Sequence, residues 1–339
     1  MVSFKHYINC IDAHTAGEPL RIVTSGFPPI PGQTILEKRA YVLKHYDHLR
    51  RMIMLEPRGH SGMYGCIIVP AVTADGDLGV LFTNNDGLSP MCGHGIIGLT
   101  TVLLETGMVI PVEGENIVKI DTPAGRVTAY ADVKAGQVEH VRFRNVPCFV
   151  YKRDIVLNID GIGDVLVDAA YGGGFYIYLD VKKVGLSIST ENTERLVQVG
   201  MEIKNKAMAK LEFKHPSSGI AGLYGTILYE TPQRDGHKIR TKNICIFADG
   251  QVDRSPTGTG TGGRIALHYK LGEMNKDDTL INLSIIDTAF EGRLIEETQV
   301  GDFEAVVTEV SGKAHIVGFN QLVLDPRDPL PHGFRIIGS

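Results

Sequence analysis

Short alternating runs of apolar and polar residues dominate this chain, and helical spacing takes over in only a few stretches. Residues 7–12 and 20–24 read as strands on either side of the polar turn His14-Thr15-Ala16-Gly17-Glu18-Pro19, and the proline-rich stretch 27–32 reads as loop. Residues 35–51 carry a helical period with many charges, after which 52–55, 66–72, 80–83, 118–120 and 126–131 return to strand character. The later part repeats the style, with strands expected at 138–144, 165–170, 175–181, 222–229, 244–247, 281–286, 303–310 and 314–317. A helix at 190–210 has a start rich in Thr and Glu. A last short strand, 333–337, follows a loop with three prolines and is placed to pair with the first half. Strands and helices do not alternate strictly, so the expected class is α+β.

Two apolar stretches stand apart. Residues 96–104 contain no proline and read as a buried helix, and 263–271 read likewise. Each follows a glycine-rich turn: Ser89-Pro90-Met91-Cys92-Gly93-His94-Gly95 in one case, Ser255-Pro256-Thr257-Gly258-Thr259-Gly260 in the other. A slide of 165 residues puts Cys92 on Thr257, and Gly93, Gly95, Gly98 and Gly107 on Gly258, Gly260, Gly263 and Gly272. Gly59-His60-Ser61-Gly62-Met63-Tyr64-Gly65 matches Gly219-Ile220-Ala221-Gly222-Leu223-Tyr224-Gly225 at an offset of 160. Two matches in one order and at nearly one spacing predict two halves of similar structure. The expected first lobe spans 1–130, joined by the C-terminal strand 325–339, and the second spans 131–324.

The chain has 339 residues, enough for two sizeable cores. A net charge of -5 and the lack of any Lys/Arg run speak against a nucleic-acid partner. The start, Met1-Val2-Ser3-Phe4, is not followed by an apolar signal stretch, and no segment approaches membrane-spanning length, so no membrane partner is expected. Five scattered cysteines without a C-x-x-C pair argue for reduced thiols in a cytoplasm, and against both a disulfide framework and a structural zinc site. The histidines are equally scattered, and no metal is expected. Cys10, Cys66, Cys148 and Cys245 lie in or beside apolar runs and read as core.

Cys92 is different because of where it stands. A residue just before a helix N-terminus faces unpaired N–H groups and the positive end of the helix dipole, which favour anions and lower a thiol's pKa. Two such termini aimed at one point suit a carboxylate. Residues at the mouths of the turns would flank the bound molecule, and a base there could take the proton from the carbon bearing that carboxylate while fixed donors stabilise the developing charge. Two thiols would make a racemase; here Cys92 faces Thr257, and a threonine hydroxyl is far too weak an acid to mirror a thiol. Both turns also satisfy G-x-G-x-x-G, but Asp86 to Pro90 and Asp253 to Pro256 separate the preceding strands from the glycines, so a nicotinamide cofactor is not expected.

Met91-Cys92-Gly93-His94-Gly95 and Asp253-Arg254-Ser255-Pro256-Thr257-Gly258-Thr259-Gly260 resemble the two signature motifs of the proline racemase family, and Asp12-x-His14-Thr15-x-Gly17-Glu18-Pro19 and Pro57-Arg58-Gly59-His60 resemble further family blocks. The form with cysteine first and threonine second is similar to the family's trans-3-hydroxy-L-proline dehydratases. The resemblance implies the diaminopimelate epimerase fold, with two pseudo-symmetric lobes, each a curved sheet around a central helix, and the active site in the interlobe cleft. It implies Cys92 as the base, with Thr257 opposite; Gly93, His94, Asp253, Gly258 and Thr259 as substrate-binding residues, His94 and Asp253 at the ring nitrogen; no cofactor; and hydroxyproline or proline as the small-molecule partner, while a homodimer is a candidate assembly that the sequence does not decide.

In trans-3-hydroxy-L-proline the α-hydrogen and the 3-hydroxyl share one ring face, so elimination is syn and needs no strong acid opposite Cys92. The rivals are a racemase or 2-epimerase, a cysteine hydrolase, for which His94 is too close in sequence to be an obvious partner base, and a non-catalytic amino-acid binding protein. Tyr64 and Phe247 are candidates to wall the ring, though aromatic residues in apolar runs are more often core. His14 and Glu18 are candidates to support the site, and His60 and Ser61 to reach the 3-hydroxyl.

Overall fold

A computed structural model describes residues 4–336. Met1 to Ser3, and Ile337 of the expected last strand, lie outside the described residues. In chain order the elements are β1 (Tyr7–Thr15), β2 (Glu18–Ser25), α1 (Ile35–Tyr41), α2 (Asp47–Met54), β3 (Tyr64–Val69), β4 (Leu78–Asn84), β5 (Leu88–Ser89), α3 (Gly93–Glu105), β6 (Gly114–Thr122), β7 (Gly125–Lys134) and β8 (Gln137–Arg144). There follow β9 (Cys148–Ile159), β10 (Gly163–Tyr171), β11 (Phe175–Asp180), α4 (Thr193–Lys210), β12 (Leu223–Tyr229), β13 (Gln233–Asp235), β14 (Lys238–Phe247), β15 (Gln251–Asp253), α5 (Gly258–Lys270), β16 (Thr279–Leu283), β17 (Ala289–Val300), β18 (Phe303–Gly312) and β19 (Ala314–Val323).

The chain forms two compact units: Met1–Met91 with Gly95–Val141 and Lys313–Ser339, and Cys92–His94 with Arg142–Gly312. The first therefore extends past residue 130, and its returning segment begins before residue 325, because β19 pairs along the whole of β1, from Tyr7↔Val323 to Thr15↔Ala314. The three residues at the thiol go with the second unit.

In the first unit β1 lies between β19 and β2. Strand β2 runs parallel to β3, β3 is antiparallel to β4, and β4 pairs antiparallel with β5 and parallel with β6, which returns as β7. In the second unit the same order recurs: β11 runs parallel to β12, β12 is antiparallel to β14, and β14 pairs antiparallel with β15 and parallel with β16. The parallel pairs need helical crossovers: α1 and α2 lie between β2 and β3, α3 between β4 and β6, α4 between β11 and β12, and α5 between β14 and β16. The second ladder also closes on itself, since β16 to β18 run antiparallel in turn, β18 pairs with β9, and β9 and β10 lead back to β11.

Each repeat holds a helix buried on all sides. Residues 93–104 of α3 and Gly258 to His268 of α5 are buried. Both helices end at a left-handed glycine, Gly107 (φ 71°) and Gly272 (φ 70°), a conformation only glycine adopts without strain.

Local expectations failed where period and length compete. Residues 52–55 are not a strand. Leu49, Met52 and Ile53 form one apolar face of α2 at helical spacing, and the helix expected over 35–51 runs on to Met54 through a π-turn at Val42–Tyr46. Its start is fixed by a capping box, with Thr34 Oγ1 accepting from the Glu37 N–H and the Glu37 carboxylate from the Thr34 N–H. The glycines expected to precede the two central helices lie inside them. Thr261 N–H already bonds Thr257 O at 2.7 Å, so α5 starts at Gly258 and not at 263. Strand 281–286 stops at Leu283, and 333–337 contracts to a single bridge, Glu56↔Phe334. Strands β9 and β17 were not expected, although Ile155, Leu157 and Ile159 point inward at a period of two between exposed neighbours.

Candidate functional site

All five cysteines are buried, and Cys148 Sγ lies within hydrogen-bond reach of Asn145 Nδ2 and Thr308 Oγ1. Burial pushes the Cys10 and Cys148 thiols up to about 12, and Cys66 up as well. Cys92 instead has an imidazole against it: its Sγ lies 3.1 Å from His94 Nδ1. His94, expected at the substrate's ring nitrogen, lies in direct contact with the thiol. An imidazole in this position can accept the thiol proton.

Gly93 and Gly258, the first residues of α3 and α5, meet within the second unit. A Cβ on Gly93 would come within 2.6 Å of Gly258 Cα, and one on Gly258 within 2.7 Å of Gly93 Cα. No side chain fits at either position, so both must be glycine for the two helix starts to approach this closely. At the start of α5, Thr261 is the first residue whose N–H bonds back into the helix; the N–H groups of Gly258, Thr259 and Gly260 precede it.

Thr257 stands at the N-cap with φ 64° and ψ 94°, a backbone region that a β-branched residue enters only under strain. Its side chain makes no capping bond, and its Oγ1 is buried without a hydrogen-bond partner among the described residues. The preceding loop imposes this conformation: Asp253 Oδ1 accepts the Ser255 N–H at 2.8 Å, and Ser255 Oγ accepts the Thr257 N–H at 3.1 Å. Thr259 Oγ1 lies 2.6 Å from the Tyr176 hydroxyl, and the Tyr178 hydroxyl donates to Gly260 O at 2.9 Å.

Cys92, Gly93, His94, Asp253, Thr257, Gly258 and Thr259 thus all belong to the second unit. The supporting candidates are more dispersed. His14 Nδ1 accepts the Gly17 N–H and its ring lies 5.4 Å from that of His315. Glu18 is buried, whereas His60 and Ser61 are exposed. Tyr64 is a buried residue whose hydroxyl lies 2.5 Å from Ser89 Oγ, and Phe247 stacks on Tyr224 at 5.4 Å. Tyr176, Tyr178 and Ser255 were not anticipated. Tyr176 and Tyr178 were within reach, since Phe175-Tyr176-Ile177-Tyr178 places both tyrosines on one face of a strand.

Among the described residues no group of three or more His, Cys, Asp or Glu side chains could hold a metal ion, and no helix is long and apolar enough to cross a membrane. The arrangement is a thiol–imidazole pair and a set of hydrogen-bond donors at paired helix starts, which suits abstraction of a proton next to a carboxylate.

The chain matches the proline racemase family over residues 10–335 and belongs to that family. It is 49% identical over 328 residues to a trans-3-hydroxy-L-proline dehydratase of Bacillus thuringiensis subsp. konkukian, covering 96% of this chain and 97% of the relative. It is 44% identical over 330 residues to a 3-hydroxyproline 2-epimerase of Burkholderia multivorans, covering 97% and 98%. The crystal structure of a hydroxyproline epimerase from Agrobacterium vitis, with bound trans-4-hydroxy-L-proline, superposes with a TM-score of 0.93 at 31% identity, covering 99% of this chain and 97% of that one.

Proposed function

We propose that this protein is a hydro-lyase that converts trans-3-hydroxy-L-proline to Δ1-pyrroline-2-carboxylate. The observation that carries the reading is the asymmetry of the two helix starts: a thiol paired with an imidazole at one, Cys92 with His94, and a hydroxyl without a partner at the other, Thr257. The substrate carboxylate takes the N–H groups at the starts of α3 and α5, and Asp253 holds the ring nitrogen.

With the Cys92 proton on His94, the thiolate removes the α-hydrogen. The electron pair of the Cα–H bond forms the C2–C3 double bond, and the C3–O bond breaks. Because the α-hydrogen and the hydroxyl share one face, the proton taken by sulfur lies beside the departing hydroxide and leaves with it as water. The enamine left behind tautomerises to the cyclic imine. No group on the opposite face has to donate a proton, which is consistent with threonine at residue 257. Removing the proton needs no redox or carbonyl cofactor, because fixed donors carry the charge that develops on the carboxylate.

A 2-epimerase is the second reading, favoured by the name of the Burkholderia multivorans relative. Proton NMR in D2O separates the two. Loss of the trans-3-hydroxy-L-proline signals with new pyrroline-2-carboxylate signals, and no inversion of L-proline or trans-4-hydroxy-L-proline, is the expected result. Inversion at Cα without loss of the hydroxyl would make the protein an epimerase.

A further inference from the structure

Two buried hydroxyls, Tyr176 and Thr259, share a single hydrogen bond of 2.6 Å. Neither oxygen makes a second one among the described residues. Two O–H donors and one bond leave one hydrogen without a protein acceptor whichever way the bond runs. If Tyr176 accepted, its own hydrogen would have no acceptor in the buried surroundings that its ring shares with those of Tyr178 and Tyr224, at centroid distances of 6.3 and 5.4 Å. A buried donor left unmade is costly. If Tyr176 donates, the surplus hydrogen is on Thr259, in the first turn of α5, beside three N–H groups that precede the first intrahelical bond.

We infer that Tyr176 is a positioning residue: by donating to Thr259 Oγ1 it turns the Thr259 hydroxyl hydrogen toward the helix start, where it becomes a side-chain donor to the substrate carboxylate. This inference rests on the proposed function, whose carboxylate it supplies with one more donor. Burial holds the Tyr176 phenol far above its ordinary pKa of 10.0, so it keeps the hydrogen it donates. Tyr178 is the internal contrast. It lies on the same face of β11 and bonds a backbone carbonyl, Gly260 O, so it braces the helix without directing a donor.

The test is calorimetric titration with pyrrole-2-carboxylate, a flat five-membered ring that carries the carboxylate and a ring N–H, together with steady-state kinetics on trans-3-hydroxy-L-proline. Tyr176→Phe should weaken binding about tenfold, as for loss of one charge-assisted hydrogen bond, and raise KM more than it lowers kcat. Thr259→Val should weaken it equally, Thr259→Ser should bind within about twofold of wild type, and Tyr176→Phe combined with Thr259→Val should be no weaker than Thr259→Val alone. Tyr178→Phe should lower Tm while leaving affinity within about twofold. Wild-type affinity in Tyr176→Phe would overturn the inference alone, as would Thr259→Ser binding as weakly as Thr259→Val. If Tyr176→Phe does not fold, the Ser and Val variants at residue 259 still decide. A wild-type protein that binds no ring carboxylate would overturn both the proposed function and the inference.

Discussion

Helices α3 and α5 occupy matching places in the two repeats and are buried by opposite means. From Ile96 to Leu104 helix α3 offers its surroundings mainly aliphatic side chains. Helix α5 carries Thr259, Thr261, Arg264 and His268 into an equally buried place. The same 165-residue slide puts Leu99 on Arg264 and Leu103 on His268. Arg264, 1% exposed, donates to His268 Nε2 at 3.2 Å, Thr241 Oγ1 at 2.8 Å and Glu230 O at 3.2 Å, and its guanidinium lies 4.0 Å from the Tyr229 ring centroid. Asn282 Nδ2 bonds both Pro256 O, at 3.1 Å, and Thr261 Oγ1, at 2.9 Å. Apolar burial is non-directional, whereas hydrogen bonds fix a rotation and a height. The difference matches the work of the two ends. At the start of α3 the reactive side chains, Cys92 just before the helix and His94 within it, bring their own geometry by bonding each other. In α5 the end offers backbone donors and hydroxyls, whose aim depends on how the whole helix is held.

The comparison breaks first at Cys92. Cys92→Ser should lower kcat by about 10²- to 10⁴-fold, the usual contribution of a positioned general base, with Tm unchanged. Near-normal turnover in this variant would sink the assignment of the base and move the chemistry away from α3.

The opposite modes of burial make a paired test. Leu99→Met keeps volume and polarity and should cost less than about 1.5 kcal/mol. Arg264→Met, at the matching position, strands the acceptor His268 Nε2 and takes a charged donor from Thr241 Oγ1 and Glu230 O, which remain bonded to each other, and should cost about 3 kcal/mol or more in urea unfolding. Equal costs would mean that α5 is held by shape, as α3 is. Burial lowers the Arg264 pKa to about 10, so the side chain stays charged at neutral pH and the deficit should not depend on pH near 7.

A third substitution makes the two helix starts alike. Thr257→Cys gives both a thiol, and the variant should invert L-proline in D2O, with deuterium entering at Cα, where the wild type does not. Because φ 64° at residue 257 strains a β-branched side chain, the variant should be at least as stable as wild type. Absence of any inversion would show that the second face is closed for reasons other than the missing thiol.

Much of the frame was legible before any coordinates. The shared offset of the glycines located both central helices, because close approach at Gly93 and Gly258 and left-handed ends at Gly107 and Gly272 are constraints that only glycine meets. Side-chain pairings were not legible. Residues 92 and 94 are too close in sequence to make a thiol–imidazole bond an obvious reading, yet their side chains meet at 3.1 Å. Tyr176 and Thr259 are 83 residues apart and meet because β11 runs beside α5 within a closed ladder. Strand β9 was missed because Lys152, Arg153 and Asp154 interrupt its apolar alternation at the exposed middle of the strand. The helix over 35–54 was cut short because a four-residue apolar run looks the same at the end of a helix as at the start of a strand.

The smallest expected effect is one of pH, and part of it belongs to α5. His268 Nε2 accepts from Arg264, and Nδ1 faces Glu273 Oε2 at 2.7 Å, so the buried ring is neutral with its hydrogen on Nδ1. Burial lowers the His268 pKa below 6.5; the Glu273 contact opposes the shift, and Arg264 and Arg234 reinforce it. A histidine with a depressed folded-state pKa binds its proton more readily when unfolded. Its contribution to stability is therefore complete above 6.5 and declines as the pH falls below that value toward the folded-state pKa. Paired carboxylates such as Asp121 and Asp278, lowered from 3.8, lose their contributions only in a more acid window, so the two effects separate. Thermal unfolding between about pH 7.5 and 5 should show a smaller fall in Tm for His268→Gln, which keeps a polar side chain but cannot titrate, than for wild type; the fall that remains belongs to His6, His14, His215 and His332, whose pKa burial also lowers. An identical slope in both proteins would place the titrating group elsewhere and remove the protonation-sensitive link from the frame that holds α5.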